Sequence, residues 1–190
     1  MHLLKKSPSL RRLMTLAGGL LLVAGAASAQ ETVQGYDHVG PYAAFGFSIG
    51  ETNGDDGVDD SKVQGGFNLR GGYRVNEWVA GEADFIFVSD ASDDVDFFTF
   101  TFGPKFFPLG FFETDAVPDA LQPYLTIAIG GGQYVLDDDR EGTFIARIVP
   151  GFDYWIDDHL GLWVEGGYYI SAEDFVQGTG IFSVGAQYRF

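Results

Sequence analysis

Six charged residues carry the chemistry this chain is best placed to do: Arg70, Glu82, Asp84, Lys105, Arg147 and Glu165. Each falls on the small or polar side of a stretch in which apolar and polar residues alternate. Period 2 sends successive side chains to opposite faces of a strand, so all six point away from an apolar face. Both signs are present. Arg70 and Glu82 stand at similar distances from the turn residue Asn76, and Arg147 and Glu165 flank Asp157 in the same way. Charges shut inside a protein persist only when paired and hydrogen-bonded. The set therefore reads as an ion-pair network: either a fixed structural plug, or a gate whose partners exchange to open a narrow water path.

Other chemistry is less well supplied. Nucleophilic catalysis needs a base, a nucleophile and an orienting acid that converge. Beyond the first thirty residues the histidines are His38, ahead of any strand, and His159, beside Asp157 and Asp158 with no serine on its turn. A surface histidine accounts for that, and no catalytic residue is assigned. Four acidic stretches, at 51–60, 89–96, 137–141 and 171–177, hold 15 of the 27 acids. Carboxylate oxygens there could bind divalent cations weakly, or bridge through them to anionic lipopolysaccharide. The EF-hand spacing is absent, and a solvated, self-repelling surface is the plainer account. No cofactor or metal site is assigned. The chain has no cysteine, and its net charge of −16 argues against nucleic acid as a partner, which needs basic patches.

The first 29 residues read as a cleaved secretory signal peptide. Lys5, Lys6, Arg11 and Arg12 precede an apolar run from Leu13 to Ala26, and Ala27-Ser28-Ala29 is a small-x-small cleavage signal. The run is shorter than the roughly 20 residues that a spanning helix needs. Residues 30–190 are then a single domain in which seven basic residues stand against 27 acids, a net of −20.

Eight alternating segments position the charges. The last is the clearest: Phe182, Val184, Ala186, Tyr188 and Phe190 share one face, and Ile181, Ser183, Gly185, Gln187 and Arg189 the other. The same parity sets Ala43, Phe45, Phe47 and Ile49 against Tyr42, Ala44, Gly46 and Ser48. Phe98, Phe100 and Phe102 oppose Thr99, Thr101 and Gly103. Segments of this length suit tilted membrane strands of about 9–11 residues. An even number closes antiparallel with both termini on one side. The fold read from this pattern is all-β: an eight-stranded, antiparallel, up-and-down transmembrane β-barrel with a filled polar core. Its acidic connections face outside the cell, and its short turns, at Asn76-Glu77 and 156–160, face the periplasm. Pro104 and Pro150 fall inside predicted strands, where a ladder donor is lost, so bulges are expected there. Tyr73, Trp78, Tyr124, Tyr154, Trp155, Tyr168, Tyr188 and Phe190 read mostly as interfacial girdles. Trp163 reads as inward.

Gly71-Gly72-Tyr73-Arg74-Val75-Asn76-Glu77-Trp78-Val79 followed by Glu82, together with the aromatic last strand, resembles the small bacterial outer-membrane β-barrel family. That family includes the OmpA transmembrane domain and the opacity-type, porin-like proteins. Gly151-Phe152-Asp153-Tyr154-Trp155-Ile156 leading to Glu165 is a looser second copy. The resemblance implies a Gram-negative outer-membrane location, contact with outer-membrane lipid and lipopolysaccharide, and an interior salt-bridge network. It also implies that Phe182, Val184, Ala186, Tyr188 and Phe190 form the signal read by the barrel-assembly machinery. The functional expectation is a structural or surface-interaction barrel. A narrow gated channel for small solutes or ions is the alternative, and a lipid A-modifying enzyme is less favoured.

Overall fold

The computed structural model describes residues 39–54, 62–89, 95–111, 117–118, 120–136, 139–172 and 176–190. The cleavage residues Ala27 and Ala29, His38 and the tips of the acidic connections lie outside these.

The strands are β1 (Gly40–Gly54), β2 (Lys62–Arg74), β3 (Val79–Ser89), β4 (Val95–Phe106), β5 (Leu121–Leu136), β6 (Asp139–Trp155), β7 (Leu160–Ser171) and β8 (Val176–Arg189). Each pairs antiparallel with its sequence neighbours, and β1 pairs with β8, closing the barrel. Closure leaves no edge, so ladder donors and acceptors find partners without water. The two ends of the barrel differ. The turn end carries the start of β1, the end of β8, the turns after β2 and β6, and a 3-10 turn at Pro108–Phe111. The loop end carries the acidic connections. Strands run into all four of these: Glu51 belongs to β1, Ser89 to β3, Asp96 to β4 and Ser171 to β7, and between β5 and β6 only residues 137–138 lie between the paired ends, with Asp139, Arg140 and Glu141 in a strand. That part of the acidic stretch joins the barrel wall because backbone pairing continues through it.

Parity holds around the wall. Phe45, Phe47, Leu69, Phe100, Ile127, Ile148 and Leu162 are exposed on the outside, Phe47 to 66%. Such an apolar band suits hydrocarbon rather than water. Phe67 stacks between strands on Phe45, Phe85 and Phe87.

The bulges expected at Pro104 and Pro150 are absent. β4 pairs with β5 at Phe102↔Ile129 and resumes at Lys105↔Thr126 in the same register. β6 pairs with β7 at Ile148↔Tyr168 and resumes at Gly151↔Glu165, again without a slip. Each proline faces the gap with its missing N–H and keeps an unbroken ladder on its other side. A gap loses ladder bonds but keeps every side chain on its face, whereas a one-residue shift would turn the strand inside out. Among the described residues, the register shifts at Asn53/Gly54, where β1 meets β8.

Glycine makes the corners. A Cβ on Gly66, Gly103, Gly130 or Gly185 would lie 1.8–2.2 Å from a carbonyl oxygen of the neighbouring strand, so the wall bends where only hydrogen fits. Gly71 and Gly81 have open space instead. Gly130→Ala is therefore expected to cost about 1–3 kcal/mol and to lower the yield of refolded barrel. Gly81→Ala is expected to leave it unchanged or slightly raised. The heat-modifiable gel mobility of refolded protein checks both.

Candidate functional site

The inner face gathers all six predicted charges. Arg70 Nε donates to Asp84 Oδ2 at 2.9 Å, and its Nη2 reaches Glu165 Oε1. Arg147 meets Asp84 at 3.2 Å and Glu82 at 3.6 Å. Lys105 Nζ lies 3.6 Å from Glu82 and 3.0 Å from Asp153. The contacts form one chain of alternating sign: Asp153, Lys105, Glu82, Arg147, Asp84, Arg70, Glu165. The sequence positions suggest Arg70 with Glu82 and Arg147 with Glu165, but the contacts run otherwise. Tilted strands around a narrow lumen bring side chains of non-adjacent strands together across the axis. Asp153 stands on the predicted inner parity of β6. It had no evident role because its partner, Lys105, lies two strands away.

Aromatic groups complete the lattice. Tyr42 donates to Glu82 Oε2 at 2.8 Å and Tyr124 to Glu165 Oε2 at 2.9 Å. Arg147 Nη1 donates to Tyr169 at 2.9 Å. The Arg70 guanidinium lies 3.8 Å from the centroid of the Trp163 ring, and Lys105 Nζ 3.7 Å from that of Tyr124, both suited to cation–π attraction. Tyr42, Tyr124, Trp155 and Trp163 each lie over the glycine paired with them on the next strand: Gly72, Gly151, Gly161 and Gly185. The missing side chain makes the room that the ring fills. Tyr124 and Trp155 are thus buried inside the barrel rather than in an interfacial girdle, because each occupies an inward position of its strand. Trp163 is inward, as predicted.

The loop half of the lumen is not polar throughout. Ile86, Val88, Phe97, Ile145, Val149, Tyr169 and Ile181 form a buried cluster, located beyond Glu82 and Asp84 along β3. Ile181, the one apolar residue on the inner row of β8, belongs to it. Hydroxyl pairs line the same half, Ser48 with Ser183 at 2.8 Å and Thr143 with Ser171 at 2.7 Å. A charged lattice and a layer of apolar and neutral polar side chains thus succeed one another along the axis. Among the described residues, no cluster of three or more His, Cys, Asp or Glu could hold a metal.

His159 works as a clasp. Its Nδ1 is 2.9 Å from the carbonyl of Arg189, which makes that nitrogen the donor, and its ring stacks on Tyr188. Asp157 Oδ1 accepts from the backbone N–H of His159 and Leu160 at 2.8 and 2.6 Å. Those two bonds favour the ionised carboxylate and hold the Asp157 pKa below its ordinary value.

A closed eight-stranded barrel with an apolar outer wall and paired charges inside is a membrane-spanning β-barrel. Residues 19–190 match the model of the outer membrane protein beta-barrel domain. The chain belongs to that family, and its location is the cell outer membrane. Solved structures agree in fold. Neisserial surface protein A is 15% identical with a TM-score of 0.64, covering 79% of this chain and 97% of that one. OprG of Pseudomonas aeruginosa is 17% identical with a TM-score of 0.56, covering 83% and 99%. The N-terminal barrel domain of OprF from the same organism is 16% identical with a TM-score of 0.55, covering 81% and 98%. No curated protein matches the chain in sequence.

Two outcomes are expected. Arg70→Met leaves Glu165 with Tyr124 alone and costs about 3–5 kcal/mol, and adding Glu165→Met returns part of the loss; urea unfolding in lipid vesicles measures both. Asp157 contributes stability that is complete above its ordinary pKa of 3.8 and is lost as the pH falls through its lower folded value. Amide exchange at His159 and Leu160 should accelerate over that range, and Asp157→Asn should flatten the pH dependence.

Proposed function

We propose that this outer-membrane barrel is a non-enzymatic structural and surface-interaction protein with a closed lumen. The observation that carries the reading is the continuous ion-pair chain from Asp153 to Glu165, backed on its loop side by the apolar cluster around Phe97 and Ile145. An ion crossing the barrel would have to displace paired charges and then pass a packed layer in which buried apolar side chains sit beside Asn68, Thr99 and Thr126. In this reading residues 1–29 are removed on export, and the outer row of β8 ending at Phe190 is read by the barrel-assembly machinery. The acidic connections face away from the cell, among lipopolysaccharide headgroups, with weakly held divalent cations between them.

A gated path for small solutes or ions is the second reading. Lys105 favours it, since it already touches two carboxylates, Glu82 and Asp153, and could shift weight from one to the other. That path also requires the apolar layer to part. Planar-bilayer recording on refolded protein separates the two: the closed reading expects no large, stable conductance. Steady openings in the unmodified protein would overturn it.

A further inference from the structure

The turn mouth holds a second polar cluster that the lattice does not use. It is built around Trp155, the last residue of β6. The Arg189 guanidinium lies 3.5 Å from the centroid of that indole. Trp155 Nε1 donates to Gln122 Oε1 at 3.4 Å, and Arg74 Nη1 donates to the same oxygen at 2.8 Å. Gly161, which pairs with Trp155 and Gln187, has both side chains against it: a Cβ there would meet Trp155 Cε3 at 2.9 Å and Gln187 Nε2 at 3.2 Å. Arg74, Gln122, Trp155, Gln187 and Arg189 are each more than nine-tenths buried.

This cluster is rich in donors and short of acceptors. Gln122 Nε2, Gln187 Nε2 and Arg189 Nη1 are buried without a hydrogen-bond partner. The orientation of the Gln122 amide is not arbitrary: two donors converge on one of its ends, so that end is the oxygen and the other is the unanswered NH2. Arg74 spends its other donors on the carbonyls of Asn76 and Glu77. Of the acids that attract Arg189 electrostatically, Asp153 is held by Lys105, and Asp158 is exposed on the turn after β6. The charge balance points the same way. The described inner face carries Arg70, Arg74, Lys105, Arg147 and Arg189 against Glu82, Asp84, Asp153 and Glu165. The lattice takes all four of these acids and three of the bases, so the two remaining inner bases, Arg74 and Arg189, sit at the turn mouth.

We propose that the turn mouth is a binding site for a small oxyanion, a phosphate group above all. It would be held by Arg189, Gln122 and Gln187 within the field of Arg74. An oxyanion brings only acceptors, which is what three orphaned donors require, and its geometry suits a guanidinium fork. The group enters from the turn end, where it has two sources: free phosphate in the aqueous space, or the headgroup of a phospholipid in the adjoining leaflet.

The test uses the purified, folded protein in maltoside micelles, which contain no phosphate. Side-chain resonances of Gln122, Gln187 and Arg189 are followed by nuclear magnetic resonance during titration with inorganic phosphate. A parallel titration uses short-chain phosphatidylglycerol, and sodium chloride at matched ionic strength is the control. The proposal expects saturable shifts of all three groups with a single dissociation constant. Saturation by inorganic phosphate assigns a free ion, and saturation by phosphatidylglycerol alone assigns a headgroup. The variant Gln187→Glu places a carboxylate at one orphaned donor, opposite Gly161 and Ala44 and away from any acid across the ladder. It should raise the melting temperature and abolish the response. Absence of saturation in both titrations, or an unchanged response in Gln187→Glu, overturns the proposal.

Discussion

A backbone amide in hydrocarbon has no water to turn to. Leaving one unpaired costs several kcal/mol, and a strand presents such groups along its whole length. The circle from β1 to β8 is the answer to that cost, and much of the remaining structure follows from it. Closing with every pair antiparallel takes an even number of strands, which sets the start of β1 beside the end of β8. It also fixes one face of every strand toward lipid and the other toward a narrow lumen. The prolines show how strict the constraint is. At Pro104 and Pro150 the ladder gives up bonds on one side instead of slipping, because a slip would carry charges into the lipid.

The lumen then poses its own problem. Eight strands leave room for side chains and little else, yet the inward parity delivers nine charged residues there among those described. Three devices accommodate them. Acids and bases chain together from Asp153 to Glu165. Aromatic rings with hydroxyl or indole groups add hydrogen bonds and lie over cross-strand glycines. In the loop half an apolar cluster packs among neutral polar side chains. Removing one member of the chain leaves another buried and uncompensated, so the lattice acts as a unit even where single contacts are long.

Much of the site was legible from parity alone. The inward placement of Arg70, Glu82, Asp84, Lys105, Arg147 and Glu165 follows from period 2, and so does that of Trp163. Tyr124 and Trp155 were open to the same rule, but their position near strand ends outweighed it. Asp153, Arg74 and Arg189 share that inner parity, yet nothing in a linear pattern marks a residue whose partners come from distant strands. Glycine is the signal that could have found the rings, since Gly72, Gly151, Gly161 and Gly185 each face an aromatic once the strands are set in register.

The sequence by itself determined the two faces of each strand, one toward lipid and one toward the lumen, and how many strands close. Those are properties of a two-residue period, and they survive any detail of packing. Only the tertiary structure decided who meets whom. Arg70 reaches Glu165 and Lys105 reaches Asp153 across an axis created by closure. The apolar layer and the donor-rich turn mouth likewise arise from strand tilt, which stacks residues of different strands at one height. Tilt and stagger belong to the closed sheet as a whole, and no single strand encodes them.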